Sequence, residues 1–310
     1  MNRKTKIYTF LAAIVGHVFW GFSFIASHRA QESAHIFILL SHRFLVAFAV
    51  MSMLVLAGLA KLRLRGKRVL LLVALGMAQP VIYFLGEQFG LLHSSTIFSG
   101  VMIAMIPIVS VLAAAPILGE KPTVGQLLFG LISVGGVVGI GLLSKSSGTL
   151  DGIGVITLVI AVCGAAAYTL LSRGISREFS PFERTYMMMV MGAAVFTALA
   201  AGKCWGDPAS YWQPFRETEY LLSILFLGVC CSVICYFLSS YAITNLTVAQ
   251  ETVFSNLTTA VSVFAGAVIL REPFSWWGLI CCLLILLGIY GVQRTSPRER
   301  ETDHASEAEK

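Results

Sequence analysis

Ten apolar runs, each close to the length that crosses a bilayer, constrain this chain more than any other feature. They fall at roughly 7–27, 36–59, 69–90, 95–118, 124–143, 152–172, 183–202, 220–243, 247–270 and 274–292. A helix rising 1.5 Å per residue crosses about 30 Å of hydrocarbon in about 20 residues. Membrane-spanning strands alternate at period two and are half this length, and no such alternation is present. The expected fold is therefore all-α: an integral membrane protein of ten transmembrane helices. Composition agrees, with 57% hydrophobic and 12% charged residues among 310 and a mean hydropathy of +0.81. A soluble domain carries roughly 25% charged residues.

The breaks between runs, at most 60–68 and 203–218, are too short for an inserted soluble domain. MNRKTK followed by IYTFLAAIVGHVFWGFSFIAS imitates a secretory leader, but its apolar run is too long and no small-residue cleavage site follows Ser27. It reads as a retained first span. Of the cysteines, Cys163, Cys230, Cys231, Cys235, Cys281 and Cys282 lie within apolar runs and Cys204 beside one. None forms a CxxC pair or has a histidine at ligand spacing, so they read as small helix filler. The net charge of +6 is scattered over short loops and makes no nucleic-acid surface.

Lysine and arginine placement orients the chain. With the amino terminus in the cytoplasm, the inner segments hold sixteen Lys and Arg, including Lys61, Arg63, Arg65, Lys67, Arg68, Arg173, Arg177 and Arg184. The outer segments hold five, Arg29, Lys145, Lys203, Arg216 and Arg271, and Arg43 alone is left within a span. Both termini are expected in the cytoplasm. The tail QRTSPRERETDHASEAEK reads as disordered.

The chain also repeats itself. PILGEKPTVG at 116–125 recurs as VILREPFSWW at 268–277, so Glu120 and Glu272 correspond at a spacing of 152. Tyr83-Phe84-Leu85 recurs as Tyr236-Phe237-Leu238, one residue out of that register. The expected units are residues 1–146 and 147–293, five spans each, followed by the tail 294–310. An odd number of spans per unit inverts the second copy, the architecture of secondary transporters with a site near the midplane.

VFWGFSF in span 1, SHRFLVAF in span 2, SSTIFSGVMIAMIPIVSVL running into LGEKPT, and SRGISREFSPFERTYM in the second half resemble the drug/metabolite transporter superfamily, EamA-type. The likeness covers about residues 7–292. It implies a ten-helix bundle around a central cavity, working by alternating access in the inner (plasma) membrane. It also implies a small-molecule solute, often an amino acid, another metabolite or a drug that is exported. Two positions depart from the pattern: Trp20-Gly21 is matched in the second half by Ala165-Ala166, and Gly119 by Arg271.

The residues themselves point to where a solute would bind. In AQETVFSNLTTAVSVFAG, residues 249–266, the polar positions Thr252, Ser255 or Asn256, Thr259 and Ser262 recur every three or four residues. They form one stripe on a helix that also carries Glu251. Single hydroxyls of this kind usually glue helices together, but the whole stripe exceeds what packing needs. It is expected to line the solute path.

Ionisable residues inside spans are few: His17, His42, Arg43, Glu87 and Glu251. Their cost in hydrocarbon should turn each toward the bundle interior. Arg43 falls about 10 Å below the outer surface and Glu87 within about one turn of it, so the two are expected to pair. Arg43 offers a two-pronged donor for a carboxylate or phosphate. His17, Glu87 and Glu251 are candidate coupling or gating groups. Glu251 is placed roughly 7–8 Å above the inner surface, as a carboxylate that could be protonated in one facing state and ionised in the other. Trp20, Ser23, Tyr83 and Tyr168 complete the expected binding residues. Trp205, Trp212, Trp276 and Trp277 sit at span ends as interfacial anchors.

Gly135-x-x-x-Gly139 suits close helix packing, including packing against a second protomer. No phosphate-binding glycine loop is present, and no cofactor or metal is expected. An intramembrane enzyme or a non-transporting interaction module are the competing readings. The scattered acidic and histidine residues argue against the first, and the short loops against the second.

Overall fold

The computed structural model describes residues 3–64, 67–106, 108–110, 113, 123–146, 151–245, 248–271 and 275–295. Among these residues the regular structure is helical and no strand occurs. The helices are α1 (Arg3–Ser33), α2 (Ile36–Leu56), α3 (Val69–Gly76), α4 (Tyr83–Leu92), α5 (Thr96–Ile103), α6 (Val124–Ser146), α7 (Gly152–Gly174) and α8 (Pro181–Lys203). A single turn, α9 (Ala209–Trp212), precedes α10 (Thr218–Leu225), α11 (Cys235–Asn245), α12 (Val248–Val268) and α13 (Trp276–Arg294). Among the described residues, six helical stretches are long and apolar enough to cross a membrane: Ile7–Ser33, Ile36–Leu56, Val69–Leu92, Gly152–Gly174, Pro181–Lys203 and Thr218–Ala242. Shorter apolar helices occupy the regions of the remaining expected spans, four of them among the described residues. The tail 296–310, Glu120, Lys121 and Glu272 lie outside the described residues.

Local chemistry starts these helices where the sequence changes from polar to apolar. Ser180 accepts from the Glu183 N–H while Glu183 reaches back to the Ser180 N–H, a capping box with Pro181 in the first turn. Ser95 caps α5 through Phe98 N–H and Asp151 caps α7 through Gly154 N–H. That backbone donor, helped by His93 at 2.8 Å, holds the Asp151 carboxyl below the usual carboxylate range. Glu183 also receives Lys67 Nζ at 2.8 Å, and Glu178 receives Arg68, so the 61–68 loop is clasped to the start of α8.

Two long helices are interrupted by wider π-type turns. Met77–Ile82 separates α3 from α4, with Pro80 inside and Gln79 at φ −149°, ψ 116°. Proline has no N–H to donate, so the ladder must break there. Phe226–Ile234 separates α10 from α11. Gly228 lies in it, where a Cβ would come within 3.0 Å of the Arg43 carbonyl, so the wide turn sits directly on α2.

Packing follows a small set of helix pairs: α2 with α8, α4 with α7, α1 with α11 and α12, α5 with α12, and α6 with α13. Small residues set the approach. A Cβ on Gly86 would lie 2.5 Å from Thr157 O, and one on Gly136 would lie 2.7 Å from Cys281 O. Within the chain, Gly136 and Gly139 face Cys281 on α13, whereas a Cβ on Gly135 meets nothing within 4 Å. Outward faces of α6 and α13 expose Leu127, Leu131, Leu283 and Leu287, as a lipid-facing surface does. Trp205, Trp276 and Trp277 are 88%, 81% and 69% exposed near helix ends.

Candidate functional site

The interrupted helices and their neighbours enclose a cavity of about 120 Å³. Its walls come from α1, α2, the turn before α4, α4 itself, α5, α7, α11 and α12. Eight of the residues singled out in the sequence line it: His17, Trp20, Ser23, Arg43, Tyr83, Glu87, Tyr168 and Thr259. The side chains of Glu251, Thr252, Ser255 and Asn256 lie outside the described residues, although the backbone there is helical.

Arg43 is fully buried. Its Nε donates to Ser232 Oγ at 2.9 Å, and its guanidinium carbon lies 4.3 Å from the centroid of the Phe84 ring. Glu87 accepts from the Tyr83 hydroxyl at 2.6 Å and from Gln88 Nε2 at 3.1 Å. The expected Arg43–Glu87 ion pair is not among the ion pairs of the described residues. Each group is held instead by neutral partners: the π-type turn brings Ser232 to the arginine, and the first turn of α4 brings Tyr83 to the carboxylate. Both charges thus line one cavity without neutralising each other by direct contact.

Aromatic rings frame these charges. Trp20 Nε1 donates to Cys231 O at 3.1 Å, and its ring meets Tyr236 edge-on at 5.1 Å and His17 at 5.3 Å. Tyr236 in turn lies edge-on to Tyr168 at 6.3 Å and accepts from Gln79 Nε2. His17 Nδ1 is 2.9 Å from Thr258 Oγ1, and Thr258 donates to the His17 carbonyl at 3.1 Å. Ser23 donates to its own helix at Trp20 O, 2.7 Å away.

The stripe on α12 divides. Thr259 lines the cavity, while Ser262 is fully buried, donates to Thr259 O at 3.0 Å and packs against Gly100 of α5. Ser262 is helix glue. Thr258, beside the stripe rather than on it, also lines the cavity.

Several cavity residues escaped the sequence reading. Gln79, Phe84, Thr169 and Ser239 all reach the wall. Gln79 did carry a signal, as an amide directly before a proline inside an apolar run. Arg184, counted with the inner loops, is fully buried within α8, and that assignment is corrected. Its Nη1 donates to Ser172 O at 3.1 Å and Ser172 Oγ at 2.6 Å, and its Nη2 to Ser240 O at 3.2 Å. The Ser-Pro-Phe-Glu capping signature just before it already implied a helical position.

His42, by contrast, turns away from the cavity. Its Nδ1 meets the Tyr220 hydroxyl at 2.7 Å, and Tyr211 and Phe215 close over it at 4.4 and 4.3 Å between ring centroids. It belongs to the packing between α2 and the 209–220 segment.

A multi-helix membrane protein with a buried, charged and aromatic cavity is built to hold a small solute within the bilayer. Comparison with known proteins gives that class its family. The chain belongs to the EamA-like transporter family, whose model matches residues 7–142 and 152–294. It is 33% identical over 296 residues to the uncharacterised transporter YcxC of Bacillus subtilis, covering 94% of each chain. An uncharacterised transporter of Archaeoglobus fulgidus is 25% identical, with 89% of this chain and 95% of that protein covered. A WAT1-related protein of Arabidopsis thaliana is 23% identical over 284 residues, with 82% of this chain and 76% of that protein covered. A solved crystal structure shares the fold at a TM-score of 0.67 and 19% identity, covering 95% of this chain and 98% of that one. The protein is a multi-pass membrane transporter.

Proposed function

We propose that this transporter is a secondary carrier that moves a small organic solute by alternating access, with proton coupling through Glu87. The solute carries an anionic group for Arg43 and an apolar or flat body for the rings of Trp20, Tyr83, Tyr168 and Tyr236. The observation that carries this reading is a single cavity holding Arg43 and Glu87, each bonded to neutral partners. A resident salt bridge would leave a solute little to gain, because breaking it strands a buried charge. Here the guanidinium keeps bonding capacity to offer, and the carboxylate can exchange a proton. Glu251 is a second coupling candidate at the cytoplasmic mouth, and His17 lies beside the cavity as a third.

Residues 1–146 and 147–293 act in this reading as two five-span units of opposite orientation, with both termini in the cytoplasm. The helix pairs support it. A five-span shift maps α2 onto α8 and α6 onto α13, and each of these pairs is in contact. The two π-type turns, Met77–Ile82 and Phe226–Ile234, fall at corresponding places, each just ahead of a cavity tyrosine. The direction is export across the plasma membrane, as the resemblance implies, and cross-linking between two copies tests for a dimer without changing the cavity assignment.

Transport by the purified full chain in liposomes tests the reading. A panel of labelled amino acids, nucleosides, sugar phosphates and cationic drugs should yield a solute with a carboxylate or phosphate group. Glu87→Gln should then lose accumulation driven by a proton gradient while keeping solute exchange, which needs no net proton movement. Accumulation that survives unchanged in Glu87→Gln, with the same pH dependence, would remove Glu87 from the coupling role.

A further inference from the structure

One hydrogen-bonded file leads from the cavity wall toward the end of α1. Gln88 Nε2 donates both to Glu87 Oε2 at 3.1 Å and to Ser27 Oγ at 3.3 Å. Gln31 Nε2 donates to Gln88 O and to Gln88 Oε1, each at 3.0 Å. Gln88 is fully buried, and Ser27 and Glu87 nearly so. Ser27 and Gln31 belong to α1, whereas Glu87 and Gln88 belong to α4. Ser23 and Phe24, one turn before Ser27, line the cavity. The file therefore ties two helices together between the cavity and the Ser33 end of the bundle.

We propose that Ser27, Gln31 and Gln88 form the gate at the Ser33 end of the cavity, and that the Glu87 carboxylate holds it shut. The proposal rests on the alternating-access reading above and adds the residues that close one side. Its physical basis is the direction of the bonds. The Gln88 amide spends both hydrogens and its oxygen on this file, and its orientation is set by a neighbour that accepts on both oxygens when ionised. A hydrogen bond to a carboxylate is roughly twice as strong as one to a neutral acceptor. Protonation of Glu87 removes that reinforcement. If the amide turns over to accept from the new O–H, its NH₂ meets the NH₂ of Gln31 and a latch bond is lost.

Tyr83 on its own helix bonds Glu87 directly, and the other titratable or charged groups in electrostatic range of it are Arg43 on α2, Cys231 on the second π-type turn and Tyr236 on α11. Arg43 is the cation among them. A solute anion that engages Arg43 and a proton that reaches Glu87 consequently loosen the gate in the same direction. Solute binding and gate opening become one event.

Accessibility of a thiol placed behind the gate tests this without knowledge of the solute. Ser23→Cys, in the full chain in proteoliposomes, is treated with a membrane-impermeant maleimide from the Ser33 side. Each rate is divided by that of the same thiol in unfolded protein at the same pH, and the labelled peptide is identified by mass. Gln31→Ala and Glu87→Gln should each raise the rate about tenfold, the weight of one hydrogen bond. In the otherwise native protein the rate should rise as pH falls, and in Glu87→Gln it should be high at every pH. Oxidising Gln31→Cys with Gln88→Cys should suppress labelling, and a reductant should restore it in the same sample, which misfolding cannot imitate. Rates indifferent to Gln31→Ala, or to the cross-link, overturn the gate. A thiol reachable from only one side under every condition overturns alternating access itself, and the gate with it.

Discussion

Arg43 and Arg184 show how little a residue's identity says about its task until its neighbours are known. Both are fully buried arginines within apolar helices. Arg184 is committed to Ser172 and to the Ser240 carbonyl, bonds that tie α8 to α7 and α11. Arg43 donates from Nε to Ser232 and presents its guanidinium to Phe84 and the cavity. Arg43→Lys keeps the charge but loses the planar fork and the ring contact. It should fold and insert normally while solute affinity falls by about tenfold or more, read as Kd by solute-dependent quenching of the tryptophan fluorescence. Affinity equal to the wild type would reduce Arg43 to a point charge. The legible part of the site in the sequence was this set of rare ionisable and aromatic residues, because each must face inward to avoid hydrocarbon. Which of them touch was not legible, since a single residue step, about 100° around the helix, decides between the cavity at Arg43 and the packing cluster at His42.

Helices in this molecule are joined by close backbone approach as much as by side-chain volume. Along α4 and α7, Gly86 stands against Thr157 O and Ala161 N, and Gly154 stands against His93 O. The atoms that an added methyl would strike are backbone atoms, so they cannot step aside. Gly86→Ala should lower stability by about 1–3 kcal/mol, the usual cost of overpacking. Thermal unfolding in detergent measures it, and Gly135→Ala is the control: its Cβ has open space, so it should be neutral or slightly stabilising. A loss of equal size at both positions would place the effect in the helices rather than in their contact. Arg271 shows the opposite case. It occupies the left-handed region at φ 54°, at a position that the expected sequence repeat aligns with Gly119.

Across the whole molecule the clasp of the 61–68 loop onto α8 marks one face, through Lys67–Glu183 and Arg68–Glu178. The opposite end carries Arg29–Glu219 and Ser33 bonded to Glu217. Without Arg184 the segments expected to be cytoplasmic still hold fifteen Lys and Arg in the sequence against five in those expected outside. Cysteines substituted at Arg63 should therefore label from the cytoplasm, and those at Lys203 from outside, in right-side-out vesicles. Labelling of both from the same side would sink the inverted arrangement of the two halves.

The all-helical membrane architecture was determined by the sequence alone, because hydrocarbon leaves a backbone of this apolar length no other way to satisfy its own hydrogen bonds. The cap residues Ser95, Asp151 and Ser180 were equally local, since each acts on a backbone N–H three residues away. Only the tertiary structure decided that Arg43 would bind Ser232 and not Glu87, that Ser262 would serve as glue while Thr258 and Thr259 faced the cavity, and that Gln31 would find Gln88. Those contacts join residues from 57 to 189 positions apart. They depend on how one helix is rotated against another, and a helical stripe about 100° wide does not specify that rotation.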